Sequence, residues 1–329
     1  MIITKTPYRL SLFGGGTDYP AWYNNHPSKC ISAAMNHHCY VHVKPLPPFF
    51  DHNIHITYSK IENVNSVDDI DHPAIRACLK FRNITSNITI GHDGDLPARS
   101  GIGSSSSFTV GLLNALYHLQ KESLTKEQLA QKAITVEQDL IGENVGIQDQ
   151  IMAAHGGIQL ISMSSDGWKT EDFPMSNEYK KYLESHIMLG FSGVSRHAEV
   201  QAKKSVDNIK EGKIDNLLLE MANSTNEAII MLAKEKEMSI IGELLDTAWS
   251  IKRNLADGVT QKWIDNIYYS AIENGAYGGK LMGAGGGGFF MFLVPPNLQE
   301  HFKKTMKEIK VWVPFQFDNN GSQVLLNNM

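Results

Sequence analysis

Three glycine-rich stretches punctuate this chain: FGGGTDY at 13–19, SGIGSSSS at 100–107 and GGKLMGAGGGGFF at 278–290. Each abuts an apolar run without an intervening soft segment, and this separates them from the surface turns and linkers that are also rich in glycine. Glycine beside a buried element serves conformations that a Cβ forbids, or lets another group come close to the backbone. The fold must therefore build three tight loops, spread along nearly its whole length, directly onto its core. Residues Gly283 to Gly288 contain G-x-G-x-x-G, but this stretch follows a helical pattern and runs into the strand-like FFMFLV. A dinucleotide fingerprint has the opposite order, strand before and helix after, and no G-x-x-x-x-G-K-[ST] occurs anywhere in the chain. These glycines are expected to admit an anion or a substrate close to the backbone.

At 329 residues the chain suits two ordinary domains, and 42% hydrophobic with 20% charged residues is the composition of a soluble globular protein. A net charge of -5 gives no basic field for nucleic acid or an anionic membrane, so a small-molecule partner is expected. The opening MIITKTPYRLSLF lacks a signal-peptide core and no apolar run is long enough for a span, which predicts a cytoplasmic protein. Cys30, Cys39 and Cys78 are odd in number and unpaired in spacing, so neither a disulfide framework nor a structural zinc site is expected.

CYVHVK, HNIHITYS and SNITIGHDG read as strands, and HPAIRACLKF as a helix behind a proline start. Phe108, Leu112, Ala115, Leu116 and Leu119 recur at helical spacing and predict a mostly buried helix after the second glycine stretch. Thr125 and Gln128 have capping-box spacing, opening a helix whose apolar stripe is Leu129, Ala133, Val136 and Leu140. GGIQLISM, GGFFMFLV and VWVPFQF return to strand, with long helical stretches between 215 and 255. The polar, turn-rich segment around 165–185 suggests two domains, 1–175 and 176–329.

The second stretch has the makings of an anion cradle. Gly101 and Gly103 allow converging N–H groups, and the helix that follows adds its free amides and positive end. Serine hydroxyls could donate to phosphate, and one could ligate Mg²⁺; helix capping is the competing explanation, but it needs one serine and not four. Glu137 lies at the edge of its helix's apolar stripe, where a carboxylate is costly unless it meets a salt-bridge partner, a metal or a catalytic task. Asp149 precedes a short apolar helix and is either an N-cap or a working carboxylate.

Taken together these stretches resemble the GHMP family of small-molecule kinases. PYRLSLFGGGTDY is similar to its first motif, LPARSGIGSSSS to its second and GGKLMGAGGGGFF to its third, in order along the chain. The resemblance implies an α+β GHMP kinase fold, with an N-terminal ribosomal-protein-S5-like domain and a C-terminal ferredoxin-like domain, and a site between them. It implies ATP held by Pro97, Gly101, Ile102, Gly103, Ser104, Ser105 and Ser106, and Mg²⁺ held by Glu137 and Ser105, with Ser104 left open as the alternative serine. Asp149 in GIQDQ would be the catalytic base, and Arg9 the arginine paired with it. Gly15, Gly16, Thr17, Asp18, Gly285 and Gly286 would line the sugar site. Galactokinases carry an acidic and an imidazole group in the first motif where this chain has Gly15 and Gly16. That departure, with GFSGVSRHAEV, resembles the branch of heptose 7-phosphate kinases and bacterial fucokinases. Losing a carboxylate suits an anionic sugar phosphate, and Arg196 would be its cationic partner. The implied reaction is phosphorylation of the anomeric hydroxyl of the heptose 7-phosphate; a fucokinase or another sugar-1-kinase is the alternative, and a non-catalytic sugar sensor competes with both.

Overall fold

The computed structural model describes residues 1–195 and 199–328, with nothing stated of the Glu199 side chain. Two long strands, Ile2–Phe13 and Ser28–Pro45, form an antiparallel pair at the centre of an eight-stranded sheet. Their register shifts between Pro7 and Tyr8, where proline has no N–H to give the ladder, and Arg9 follows directly. Ser28–Pro45 is long enough to serve two partners. Its first half pairs with Ile158–Ser164 and its second with Ile88–Gly94, so the sheet splays into two wings. One wing continues through Ile54–Thr57 to Ile61–Val64, and the other ends at Gly167–Asp172. Gln323–Asn327 closes the far edge on Ile2–Phe13, so the end of the chain returns to the sheet that its start began.

The second sheet has four antiparallel strands in the order Val311–Val313, Ile187–Phe191, Phe289–Leu293, Gly278–Leu281. Numbered along the chain this order is 4-1-3-2, that of the ferredoxin-like α+β unit expected above. Phe289–Leu293 is buried on both faces, which explains its continuous apolar run.

The expected buried helix is Ser104–Leu119, with residues 106–117 buried throughout. Such all-round burial, and not an amphipathic stripe, is what its nearly unbroken apolar sequence specifies. The helix predicted from Thr125 has its capping box and runs Lys126–Ile134, then widens into a π-helical turn, Thr135–Ile141. That wider turn resets the phase of the side chains: Leu140, expected in the apolar stripe, is exposed, and Glu137 swings inward. Met238–Lys252 packs on both Gly278–Leu281 and Ile2–Phe13, joining the sheets, and Leu255 just past its end packs on Gly16 of the first glycine turn. No helix among the described residues is long and apolar enough to cross a membrane.

Candidate active site

The four serines divide their work. Helix Ser104–Leu119 has Gly103 at its N-cap in a left-handed conformation (φ 74°), so no serine caps it by a side chain. Ser104 Oγ accepts from the Arg99 amide (3.3 Å), Ser107 Oγ donates to the Pro7 carbonyl (2.8 Å) and Ser106 Oγ donates to Glu137 Oε2 (2.8 Å). Ser105 is exposed at the mouth of the loop. The loop itself is anchored by Ile102, whose side chain is fully buried and whose carbonyl accepts the Arg9 amide at 3.0 Å.

Arg9 and Asp149 meet in a two-pronged ion pair, Nε to Oδ1 at 2.5 Å and a terminal guanidinium nitrogen to Oδ2 at 2.9 Å. The other guanidinium nitrogen donates to the Gly101 carbonyl at 2.6 Å, tying the pair to the glycine loop. A Cβ added at Gly103 would lie 3.0 Å from Arg9 Cγ and 3.1 Å from Asp149 Oδ2. The cradle and the carboxylate are thus in contact, as transfer from a held phosphate to a neighbouring acceptor requires.

Glu137 is 1% exposed. Oε2 accepts from Ser106 and from Gln150 Nε2, whereas Oε1 has no partner, and neither has the buried Gln150 Oε1. Among the described residues no cation pairs with it, so the salt-bridge explanation falls away. Burial first, and the Glu143 charge second, raise its carboxyl to about 7. An orphaned, buried carboxylate oxygen beside a serine-rich loop suits a hard divalent cation, which asks for few protein ligands. These residues fit Mg²⁺.

Asp18 is 3% exposed, and Oδ1 accepts the Gly16 amide at 3.0 Å. Burial, reinforced by the Asp149 charge, lifts it above the usual carboxylate range.

Family models match the chain twice, GHMP kinases N terminal domain over residues 72–157 and GHMP kinases C terminal over 229–309. A D-glycero-alpha-D-manno-heptose 7-phosphate kinase of Campylobacter jejuni is 26% identical over 97% of both chains. A galactokinase of Pyrococcus furiosus is 27% identical over 97% of this chain and 99% of its own. The solved structure of a D-glycero-D-manno-heptose 1-phosphate kinase from Bacteroides thetaiotaomicron shares the fold, with a TM-score of 0.80 at 20% identity over 100% of both chains. The chain belongs to the GHMP kinases.

As a GHMP kinase it is an ATP-dependent enzyme, and the pairing of Arg9 with Asp149, separated by 140 positions, lies where the resemblance implied. Other assignments land elsewhere. Thr17 is fully buried and its hydroxyl donates to the Gly14 carbonyl (2.8 Å), so it closes the turn and offers no donor to a sugar. The third glycine motif was expected to admit a ligand, but what comes close is this kinase's own backbone. A Cβ on Gly283 would lie 2.5 Å from Gly101 Cα, one on Gly288 2.2 Å from the Ser100 carbonyl, and one on Gly285 2.6 Å from Val259. Gly286 donates to the Val259 carbonyl at 3.0 Å. The motif is a seam that locks the second half onto the second glycine stretch. Pro97 is exposed and its carbonyl accepts from Ser100 Oγ (2.6 Å), a turn contact within the loop. Gly15 sits over Ser11 and Gln148 in the first turn. Arg196 lies outside the described residues.

The seam predicts that Gly101→Ala, at φ 83° with Met282 O only 2.6 Å from the new Cβ, costs about 1–3 kcal/mol of stability and weakens ATP binding with it. Thermal unfolding and nucleotide titration check this; an unchanged melting temperature would mean that the seam carries no strain. Sequence reasoning missed Gln150, the second anchor of Glu137, and the buried Lys280 and part-buried Lys252 behind Asp18. A lysine inside the apolar GGKLMG was the available signal for Lys280.

Proposed function

We propose that this kinase transfers the γ-phosphoryl group of ATP to the anomeric hydroxyl of D-glycero-D-manno-heptose 7-phosphate, giving the 1,7-bisphosphate used to make nucleotide-activated heptose. The observation that carries the transfer is the contact of Gly103 with the Arg9–Asp149 pair. The loop amides and the start of helix Ser104–Leu119 bind the ATP phosphates. An ionised carboxylate has lone pairs beyond the two that Arg9 uses, so Asp149 can accept the proton of the sugar hydroxyl as its oxygen bonds to the γ-phosphorus. The bond from that phosphorus to the bridging oxygen breaks, and ADP leaves. Arg9, already fixed by Asp149 and Gly101, offsets the charge that spreads over the phosphoryl oxygens.

Glu137 Oε1 and the exposed Ser105 would hold Mg²⁺, while Ser106 steadies the other carboxylate oxygen. The bound ion would neutralise phosphate charge. Asp18 would fix sugar hydroxyls, and Arg196 the 7-phosphate. Support for the heptose comes from the full-length likeness to the Campylobacter jejuni enzyme and from the glycines at 14–16. We also propose the division into 1–175 and 176–329, with strand Gln323–Asn327 completing the first unit's sheet. Turnover of ATP with heptose 7-phosphate beside free fucose, galactose and mannose tests the reading, with the product's phosphorylated position identified. Faster turnover of a free sugar would replace the heptose phosphate, and turnover of none would favour a sensor.

A further inference from the structure

Two lysines in the second half bond backbone carbonyls close to two of the glycine stretches and have no carboxylate partner among the described residues. Lys280, 3% exposed, donates to the Leu12 carbonyl at 2.7 Å, and Lys252 donates to the Leu281 carbonyl at 2.9 Å. Each ammonium has three N–H groups, so one hydrogen bond leaves both undersatisfied. Neither lies within 4.0 Å of a carboxylate among the described residues. A buried or half-buried ammonium in this state is costly, and a protein that keeps two side by side is short of a negative group.

Their position says which one. Leu281, which holds Lys252, precedes Met282, whose carbonyl packs on Gly101; the Gly101 carbonyl in turn accepts from Arg9. Lys252 therefore stands at the seam between the phosphate loop and the second half, beside Arg9. Three residues on, Leu255 packs on Gly16 of the turn that carries Asp18. The charged groups whose fields reach the two lysines are Arg9, Asp18 and Asp149 from the first half, and Lys252 itself acts on Lys280. Three cations meet two carboxylates, and one of those carboxylates is already the partner of Arg9. Burial, and then the Arg9 charge, lower the Lys252 ammonium to about 7; burial, and then Lys252, press Lys280 well below its usual range. An entering anion opposes both shifts, because it attracts the charged ammonium.

We infer that Lys252, backed by the buried Lys280, forms an inner anion subsite that grips the phosphoryl group as it passes from ATP to the acceptor hydroxyl. The inference rests on the phosphotransfer reading. Lys252 touches the phosphoryl oxygens, and Lys280 is a positioning residue behind it whose charged form is favoured once the phosphoryl group brings negative charge into this space. No bond is made to either lysine; the group moves from the ADP oxygen to the sugar oxygen while the ammonium N–H groups follow its equatorial oxygens.

The test uses the full-length protein saturated with Mg·ADP, which fills the outer phosphate positions, and titrates it with inorganic phosphate by calorimetry. Wild type is expected to bind phosphate. Lys252→Met should weaken that binding about tenfold to a hundredfold, and Lys252→Arg should keep most of it. In the same variants kcat with the accepted sugar should fall roughly a hundredfold for Met, with the KM for ATP little changed. The melting temperature of nucleotide-free Lys252→Met should hold or rise, because a poorly satisfied ammonium is removed; a purely structural lysine would lower it. Equal phosphate affinity in wild type and Lys252→Met, or no phosphate binding to wild type, overturns the subsite. Absence of turnover on every sugar in wild type would instead overturn the function and leave the phosphate titration to stand alone.

Discussion

Asp149→Asn is expected to lower turnover roughly 10²- to 10⁴-fold while ATP affinity changes little. The reason is a division of labour. In the proposed reading the loop at 101–106 cradles ATP, and among the described residues Asp149 makes no hydrogen bond to its amides; its two oxygens are occupied by Arg9 at 2.5 and 2.9 Å. Asparagine keeps one acceptor for Arg9 but cannot take a proton from a sugar hydroxyl at neutral pH. It also leaves a guanidinium that is 7% exposed without its counter-charge, so some loss of stability should accompany the kinetic loss, softened by the remaining bond to the Gly101 carbonyl. Single-turnover kinetics with nucleotide titration separates the two effects. Near-normal turnover would remove Asp149 from proton transfer, and collapse of ATP binding would make it a scaffold for the loop.

The parts of this kinase that were legible in the sequence are those that neighbouring residues decide. Pro73 opens its helix, Thr125 and Gln128 make their capping box, and the unbroken apolar run after Ser107 becomes the buried helix. The four serines lay in plain view, yet their separate tasks depend on Arg99, Pro7 and Glu137, between 5 and 100 positions away. The phase of Leu140 was misjudged, and the full burial of Glu137 was not foreseen, because an ideal helical wheel cannot anticipate a π-turn at Thr135. The third glycine motif looked like a ligand loop for the same reason that it makes a good seam: both uses need a backbone without Cβ atoms. The Arg9–Asp149 pair was legible through family resemblance alone, since no local pattern joins residues on opposite sides of a 140-residue gap. Lys252 was hidden because SIKRNL reads as an ordinary solvated helix end.

Glu137→Gln should give an inactive but more stable metal-free protein, and the gain should depend on pH. In the fold the carboxyl sits at about 7 against an ordinary value of 4.5, because burial and the Glu143 charge outweigh the hydrogen bonds from Ser106 and Gln150. A folded state that holds its proton more tightly than the unfolded chain is favoured at low pH. The wild-type protein is therefore expected to lose stability as the pH rises from about 4.5 through about 7, and to level off above that. The shift corresponds to about 3 kcal/mol at pH 8, an order-of-magnitude figure. Glutamine cannot ionise, so the variant should escape this loss: matching wild type near pH 5, it should melt several degrees higher at pH 8 in the absence of metal and nucleotide. With Mg·ATP the order should reverse, because the ion restores a partner to Oε1 in wild type and finds no charge in the variant. Turnover of the variant should fall by orders of magnitude and respond little to added Mg²⁺. Melting curves of both proteins from pH 5 to 8.5, with and without Mg·ATP, decide the matter. A variant less stable than wild type at pH 8 without metal would show that the ionised carboxylate holds the π-turn together, and the orphaned oxygen would then need a partner other than Mg²⁺.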